Sequence, residues 1–178
     1  GTTSNEDRLG AIGDIAFTIE RAGLHGEDLF VVAGDNLIGY SLPDYVAFWR
    51  EKGGSAIAVY EVEDRSLLPQ YGVVELDDDD RVVGLEEKPA EPKSNLAATA
   101  AYLYRGADLE LLARYLEEGN APDAPGNFAV WLHTRAPLYG YRFSGEWRDI
   151  GDLGQLLDAD NLLRGRAGLP QRDEYSLD

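Results

Sequence analysis

The sequence predicts an α/β fold, a three-layer sandwich in which a mostly parallel, Rossmann-like sheet lies between layers of helices. Segments with helical spacing of apolar residues alternate along the chain with short, mostly apolar runs, and this alternation is typical of α/β proteins. The 178 residues, 44% of them hydrophobic, suffice for one buried core. No repeat or low-complexity linker divides them, so we predict a single domain over residues 1–178.

The first elements are marked by glycines that follow helices and by one capping serine. Residues 9–22 carry apolar side chains at helical spacing and are followed by Gly23, which favours the end of a helix there. Residues 29–33 are an apolar run that predicts a buried strand. Ser41 is suited to cap a second helix, which we expect to end before Gly53.

The later elements include a predicted hairpin. Residues 55–62 alternate in polarity and predict a strand. Two further strands, 71–76 and 81–87, flank Asp77–Asp80, whose adjacent carboxylates we interpret as a solvated turn rather than a calcium loop. The remaining predicted elements are strands at 96–104 and 138–143 and helices at 109–116, 128–133 and 153–163.

Charge and composition exclude several classes of function. With 33 acidic against 16 basic residues the formal net charge is −17, which makes nucleic acid and anionic membranes poor partners. The chain has no cysteine, and this excludes disulfides, thiolate metal sites and a cysteine nucleophile. It has no long apolar run or signal-peptide pattern, so the cytoplasm is the expected compartment.

Two short segments contain candidate site residues. Asp35 follows the apolar run 29–33, where a buried strand opens onto a loop, and ligands of open α/β sheets bind at this edge. The chain has only three lysines, and two of them, Lys88 and Lys93, lie within six residues of each other. We interpret this concentration of cations as a site that needs a positive point charge.

Each of these residues also has an ordinary structural explanation. An Asp before an Asn at a strand end commonly makes a turn or caps a helix, and for Asp35 alone this is the better explanation. Glu87 and Lys88 could form a surface ion pair of little energetic value. Trp147 is expected to pack beside a site without taking part in the chemistry.

Four motifs occur in a fixed order along the chain. They are Val31–Asn36 (VVAGDN), Tyr71–Val74 (YGVV), Glu86–Pro89 (EEKP) with Pro92–Asn95 (PKSN), and Trp147–Gly151 (WRDIG). Their order and approximate spacing resemble those of the sugar-1-phosphate nucleotidyltransferases, most closely the glucose-1-phosphate thymidylyltransferases. This resemblance implies transfer of a nucleotidyl group from a nucleoside triphosphate to a sugar 1-phosphate, with release of pyrophosphate.

The resemblance also implies roles for individual residues. Asp35, Lys88 and Asp149 would be the catalytic residues, the two aspartates sharing Mg²⁺ and the lysine facing the sugar phosphate. Glu87 would accept hydrogen bonds from sugar hydroxyls. The other implied positions are the backbones of Gly72 and Ala98 in the sugar pocket and Gly10 in the loop near the base and ribose. The implied partners are the nucleoside triphosphate and the sugar 1-phosphate, and homo-oligomerisation stays open.

The chemistry of phosphoryl-type transfer is consistent with these roles. The attacking phosphate oxygen is already ionised, so the protein must position groups and neutralise charge and needs no nucleophile of its own. Magnesium prefers one or two carboxylates and completes its octahedron with substrate phosphates and water. Asp35 and Asp149 meet this demand, but they lie far apart in the chain, and only the resemblance predicts that they come together.

The chain departs from the family pattern in several places. It has no Gly-Thr-Arg loop, the family's triphosphate-binding signature, so we expect an N-terminal strand and phosphate loop to be missing from the numbered chain. Ala100 and Ala101 replace the usual glycine region, and a β-carbon there is expected to crowd the sugar. Asp123–Gly126 stand in place of an acidic Gly-Glu motif, so the sugar itself cannot be named.

Two alternatives remain beside nucleotidyl transfer. One is a non-catalytic regulatory or assembly subunit with the same fold, because fold does not determine function. The other is an unrelated α/β hydrolase-type enzyme in which Asp35 and Asp149 hold magnesium for attack by water. Release of pyrophosphate would indicate nucleotidyl transfer, whereas release of free phosphate would indicate the hydrolase-type enzyme.

Overall fold

The computed structural model describes residues 8–175. Its helices are α1 (Gly10–Ala22), α2 (Leu42–Lys52), α3 (Gly106–Leu109), α4 (Leu111–Glu117), α5 (Pro125–Leu132) and α6 (Leu153–Arg166). Its strands are β1 (Leu29–Val32), β2 (Asn36–Ile38), β3 (Ser55–Glu61), β4 (Gly72–Leu76), β5 (Val82–Glu87), β6 (Leu96–Tyr104), β7 (Leu138–Phe143) and β8 (Trp147–Asp149), and a 3₁₀-helix covers Arg65–Gln70. None of the helices within residues 8–175 has the length and apolar character that a bilayer span requires.

Six of the strands form one sheet in the order β5-β4-β6-β3-β7, with β1 also beside β6. Strands β1, β3, β4 and β7 run in one direction, whereas β5 and β6 run in the opposite direction. Because β6 lies between strands of the common direction, β3 and β7 make the one parallel pair among the described strands. The predicted α/β class is confirmed, and the expected common direction holds for most strands, but their hydrogen-bonded pairing is mixed and largely antiparallel.

Helices cover both faces of this sheet, as the predicted three-layer sandwich requires. Along β3, Ile57 and Val59 face the core beneath α1, α4 and α5, whereas Ala56 and Ala58 face α2. The faces alternate because successive side chains of a strand point to opposite sides. Tyr45 of α2 is completely buried, and its hydroxyl donates to the Ala56 carbonyl at 3.0 Å, which ties this helix to the sheet.

The predicted elements occur close to their expected bounds, with two differences. The helix predicted at 109–116 is divided into α3 and α4 at Glu110, and the helix predicted at 128–133 begins earlier, at Pro125. Proline suits the first position of a helix because its missing N–H would have no partner there. Strands β2 and β8 and the 3₁₀-helix were not predicted, because strands of three residues show no measurable periodicity.

Strand β6 changes its neighbour halfway along its length. On one side it pairs with β4 at Leu96–Ala97 and then with β1 at Ala101–Tyr104. On its other side the pairing with β3 shifts register between Ile57 and Val59, where β6 bulges outward. Ala100, in the bulge, has a positive φ of 51°. Bulges re-aim side chains and often lie next to functional sites, and a cleft opens at this point of the sheet.

The outer edge of β1 carries no strand within residues 8–175, because β1 pairs there only with β6. Phe30 and Val32 of β1 expose 40% and 43% of their surface. An unpaired edge is a place where a further strand can add. The expectation of a missing N-terminal strand and phosphate loop, and that of a single domain over residues 1–178, are not tested here and stay predictions.

Candidate functional site

A cleft of about 280 Å³ opens where β6 passes from β4 to β1. Six of the seven residues for which the resemblance implies a role line it: Asp35, Gly72, Glu87, Lys88, Ala98 and Asp149. An apolar groove of similar volume, between α1 and α4, contains none of the motif residues. The cleft therefore collects side chains that come from all four sequence motifs.

Asp35 and Asp149 are brought together by the pairing of β2 with β8. Asn36 lies opposite Asp149 in this two-stranded sheet, and the Ile150 amide donates to the Asp35 carbonyl at 2.9 Å. The Asn36 side-chain nitrogen lies 2.9 Å from Asp35 Oδ1 and 3.3 Å from Asp149 Oδ1. The two carboxylate oxygens thus cannot be further apart than the sum of these distances, which one cation and its water ligands can bridge.

The carboxylate of Asp35 affects the protonation of Asp149, its partner in this pair. Partial burial raises the pKa of Asp149, and the neighbouring negative charge of Asp35 raises it further. The hydrogen bond from Asn36 and the ammonium of Lys88 lower the same pKa and so offset part of this cost. A carboxylate whose pKa is raised by burial and by a neighbouring carboxylate in a cleft, as that of Asp149 is, is typical of functional sites.

Lys88 directly follows β5 and adopts an unusual backbone conformation. Its φ is 49°, in the left-handed region, and its amide donates to the Tyr71 carbonyl at 3.0 Å. This conformation costs an L-residue about 1–2 kcal/mol. Ala100, with a φ of 51°, also lines the cleft. Residues held in such conformations cluster at active sites and ligand-binding sites.

Glu87 lies opposite Gly72 in the pairing of β5 with β4. A β-carbon at Gly72 would lie 3.1 Å from Glu87 Oε2, and a β-carbon at Gly126 in α5 would collide with the same atom. Two glycines therefore leave room for this carboxylate. Burial raises the pKa of Glu87, and the nearby Lys88 lowers it by a smaller amount. A half-buried carboxylate beside an open cleft is suited to accept hydrogen bonds from hydroxyl groups.

The bulge of β6 contributes Ala98, Thr99 and Ala100 to the cleft. The Thr99 hydroxyl donates to the Ala58 carbonyl at 3.0 Å, which fixes the bulge on β3. The Ala100 carbonyl accepts from the Ala33 amide at 3.0 Å, which joins the bulge to the end of β1. The departure from glycine at position 100 thus lies in the lining of the cleft, at a backbone conformation that glycine adopts more easily.

Gly10 is not among the residues that line this cleft. Its φ is +75°, and a β-carbon there would lie 2.6 Å from the Pro122 carbonyl oxygen, so the local structure alone explains a glycine. The next residue, Ala11, lines a second cleft of about 470 Å³. This second cleft adjoins the first, and the two share Ala33, Asp35, Ala100 and Pro125.

Asn36 and Trp147 lie in the lining of the cleft, although neither of them was expected from the sequence to take part in the chemistry. Asn36 bridges the two aspartates, and the Trp147 indole nitrogen donates to Asn36 Oδ1 at 2.6 Å. From the sequence, Asn36 had no expected role, and Trp147 was expected only to pack beside the site. The signal that could have identified Asn36 is its position beside Asp35 in the first motif, since its amide can donate to two carboxylates at once.

The side chains present fit a magnesium site that is completed by substrate. Within residues 8–175, no group of three or more His, Cys, Asp or Glu side chains is placed to hold a metal ion on its own. Two carboxylates suffice for Mg²⁺ when phosphate oxygens and water supply its other ligands. Asp35 and Asp149 are the residues that would hold it.

Known proteins resemble this chain in sequence. The family model described as nucleotidyl transferase matches residues 3–165. Glucose-1-phosphate adenylyltransferase of Clostridium acetobutylicum is 31% identical over 141 residues, covering 75% of this chain and 36% of the relative. Glucose-1-phosphate thymidylyltransferase of Streptomyces antibioticus is 32% identical over 152 residues, covering 83% of this chain and 42% of the relative. The chain thus spans less than half the length of these curated relatives.

Solved structures resemble it as well. A Bacillus anthracis chain described as a glucose-1-phosphate thymidylyltransferase, solved with sucrose, has a TM-score of 0.72 at 26% identity, covering 89% of this chain and 63% of that one. UDP-glucose pyrophosphorylase of Acinetobacter baumannii has a TM-score of 0.71 at 21% identity, covering 90% of this chain and 58% of that one, and at this identity the likeness concerns the fold alone. The family predicted from the motifs is confirmed, and the alternative of an unrelated hydrolase is wrong. The chain belongs to the nucleotidyl transferase family.

Proposed function

We propose that this chain carries a sugar-1-phosphate nucleotidyltransferase site, which transfers a nucleotidyl group from a nucleoside triphosphate to a sugar 1-phosphate and releases pyrophosphate. The observation that carries the proposal is the convergence of Asp35, Asp149, Lys88 and Glu87 on one cleft. Relatives named glucose-1-phosphate adenylyltransferase and glucose-1-phosphate thymidylyltransferase support it.

The reaction needs charge neutralisation more than it needs a protein nucleophile. An oxygen of the sugar phosphate forms a bond to the α-phosphorus of the triphosphate, and the bond from that phosphorus to the oxygen of the leaving pyrophosphate breaks. Both reactants are anions, and the chain itself carries a formal net charge of −17. Repulsion between the protein and its substrates must therefore be overcome locally, at the site where the phosphates meet.

Asp35 and Asp149 would hold the magnesium ion of this site. When bound, the ion supplies positive charge against the phosphate oxygens of the triphosphate. The two carboxylates lie within hydrogen-bonding distance of one amide nitrogen, so binding a cation there requires little movement of either side chain. The chain's own contribution is thus to keep two carboxylates close together despite their repulsion.

Lys88 and Glu87 would bind the sugar 1-phosphate. The ammonium of Lys88 is close enough to lower the pKa of Asp149, and we propose that it pairs with the sugar phosphate beside the metal. Glu87 would accept hydrogen bonds from the sugar hydroxyls, with Gly72 and Ala98 forming the wall next to it. The adjoining cleft, which Ala11 lines, would take the nucleoside, and Gly10, the preceding residue in the chain, would lie near the base and ribose.

The proposal is tested on the complete protein that contains this chain. Each common nucleoside triphosphate is incubated with Mg²⁺ and glucose 1-phosphate, and pyrophosphate release is measured. We expect release with at least one triphosphate and its loss in Asp149→Asn. The proposal also implies that the protein acts where these substrates occur, in the cytoplasm.

The same assay distinguishes the proposed enzyme from the remaining alternative, a non-catalytic protein of the same fold. Binding of glucose 1-phosphate without pyrophosphate release from any triphosphate would favour a non-catalytic regulatory or assembly subunit of this fold. If the protein neither binds glucose 1-phosphate nor releases pyrophosphate, the proposed function is overturned. Sedimentation of the same sample in the presence and absence of substrates would show whether the protein forms a homo-oligomer.

A further inference from the structure

One side-chain amide makes hydrogen bonds to both carboxylates of the site. Asn36 Nδ2 donates to Asp35 Oδ1 at 2.9 Å and to Asp149 Oδ1 at 3.3 Å. Its carbonyl oxygen, Oδ1, accepts from the Trp147 indole nitrogen at 2.6 Å. The Asn36 amide therefore connects the two carboxylates to the indole: its nitrogen donates to both aspartates, and its oxygen accepts from Trp147.

The chemistry of the partners defines which way this amide points. An indole N–H is a donor only, so it requires the oxygen end of the amide, whereas ionised carboxylates are acceptors only and require the nitrogen end. A flipped Asn36 would set its carbonyl oxygen against two carboxylates and its N–H₂ against the indole N–H. Both sets of partners thus select the same orientation, the one in which the amide donates toward Asp35 and Asp149.

Trp147 is itself anchored by aromatic packing. Its ring lies 4.8 Å from the ring of Tyr71 in an edge-to-face arrangement and 5.7 Å from the ring of Tyr60, both measured between centroids. Aromatic pairs in such arrangements contribute about 0.5–1.5 kcal/mol beyond the area that they bury. The position of the indole N–H is thus set by aromatic packing, to which Tyr71 contributes from the lining of the cleft.

We propose that Asn36 is a positioning residue that holds Asp35 and Asp149 together for a divalent cation, with Trp147 orienting its amide. This inference rests on the proposed function, because it concerns the same pair of carboxylates. Without the amide, the two negative charges repel each other with no bridging donor, and the pair must be drawn together each time a cation binds. Groups that orient metal ligands in this way typically contribute about ten- to a hundredfold to metal affinity.

The test measures Mn²⁺ binding by electron paramagnetic resonance, first with the metal alone and then with inorganic pyrophosphate, whose oxygens can complete the coordination as substrate phosphates would. The variants are Asn36→Ala, which removes the bridge, and Trp147→Phe, which keeps an aromatic ring but removes the indole donor. One matched control is Trp131→Phe, because the Trp131 indole also donates to a carboxylate, that of Glu118, at a distance of 2.9 Å, but outside the cleft. The other is Asn161→Ala, because the Asn161 amide donates to the Arg172 carbonyl. Urea unfolding of every variant gives its free energy of unfolding.

We expect Asn36→Ala to weaken Mn²⁺ binding about ten- to a hundredfold, and Trp147→Phe to weaken it by a smaller factor, with both controls unchanged in affinity. The indole N–H resonance of Trp147 in ¹⁵N-labelled protein should move in Asn36→Ala and stay in place in Asn161→Ala. A merely structural role would lower the free energy of unfolding without this change in affinity.

The outcomes separate the inference from the function on which it rests. If the unaltered protein binds Mn²⁺, Asp149→Asn loses it and Asn36→Ala keeps it, the positioning role is wrong and the proposed function stands. If the unaltered protein binds no Mn²⁺ with or without pyrophosphate, or if Asp35→Asn and Asp149→Asn bind it as well as the unaltered protein does, the metal site and the positioning role both fail. Equal losses of affinity in Asn36→Ala and Asn161→Ala would also overturn the inference.

Discussion

Asn36 and Asp149 face each other across the pairing of β2 with β8, and the Asn36 amide nitrogen lies 3.3 Å from a carboxylate oxygen of Asp149. The two residues are 113 positions apart in the chain. This pairing, which involves only three residues of each strand, is what brings the first and the last motif to the same cleft. The proposed magnesium site depends on it directly.

Replacing either aspartate of the site by asparagine should remove cation binding without unfolding the protein. In Asp35→Asn and Asp149→Asn we expect Mn²⁺ affinity to fall by at least about tenfold, because one charged ligand is lost. The free energy of unfolding should stay the same or rise, since the repulsion that raises the pKa of Asp149 disappears. Asp158→Asn, on the exposed surface of α6, is the matched control. An aspartate variant with unchanged affinity would exclude that residue as a ligand.

Lys88→Ala should weaken binding of the sugar phosphate. Lys88 is exposed in the free protein, so we expect a loss of roughly 2–5 kcal/mol in the free energy of binding glucose 1-phosphate only if the bound sugar phosphate buries the charge pair. Isothermal titration calorimetry measures this directly. Lys93→Ala is the control, because Lys93 is exposed and pairs with Glu86 on the surface. Equal affinities for Lys88→Ala and the unaltered protein would show that Lys88 does not face the phosphate.

Glu87 should make stability depend on pH. Burial raises its folded-state pKa above the usual value of 4.5, so the folded protein binds this proton more tightly than the unfolded chain does. The stabilising contribution is therefore complete below the unfolded pKa and is lost as the pH rises through the raised folded pKa. In Glu87→Gln this loss is absent, so the free energy of unfolding of the variant, relative to the unaltered protein, should increase across that window and then level off.

Urea unfolding between about pH 4 and about pH 8 measures this difference. The unaltered protein, measured at the same pH values, is the reference for Glu87→Gln. If the free energy of unfolding of Glu87→Gln, relative to that of the unaltered protein, falls as the pH rises, the pKa of Glu87 is not raised in the folded state. Glu87→Gln should also change the discrimination between sugar 1-phosphates that differ at one hydroxyl, because a buried acceptor selects for the group it binds.

The sequence allowed the long elements and one half of the site to be predicted. Helical and alternating periodicity extends over many residues in α1, β3 and β6, so local patterns sufficed there. Asp35 could be located because it follows an apolar run that predicts a strand, although the prediction that this strand is buried is wrong, since β1 is half-exposed along its length. Its convergence with Asp149 could not be predicted from local patterns, because the strands that join them, β2 and β8, are too short to show any periodicity.

The backbone of the site was equally inaccessible to sequence reasoning. A left-handed conformation is signalled in a sequence by glycine or asparagine, and the structure has it at Lys88 and at Ala100. At these positions the surrounding hydrogen bonds impose the conformation, as the bond from the Lys88 amide to the Tyr71 carbonyl shows. The mixed pairing of the sheet was missed for a related reason, since an apolar strand looks the same whichever way its neighbour runs.

Ala100→Gly should stabilise the protein. Ala100 has a φ of 51°, where an L-residue with a β-carbon is held at a cost of about 1–2 kcal/mol and glycine is not. Glycine loses more backbone entropy on folding, by about 0.5–1 kcal/mol relative to alanine, so we expect a net gain of up to about 1 kcal/mol in the free energy of unfolding. Urea unfolding at fixed pH measures it.

Ala101→Gly is the matched control, one residue further along β6. Ala101 is completely buried against α2 and has no positive φ, so glycine there gains no relief. It loses a packed methyl group and adds chain entropy to the unfolded state, and we expect it to destabilise the protein by about 1 kcal/mol or more. If Ala100→Gly raises the free energy of unfolding and Ala101→Gly lowers it, the backbone strain lies at Ala100, in the lining of the cleft. Destabilisation by both would mean that the Ala100 methyl group packs well enough to outweigh its backbone cost.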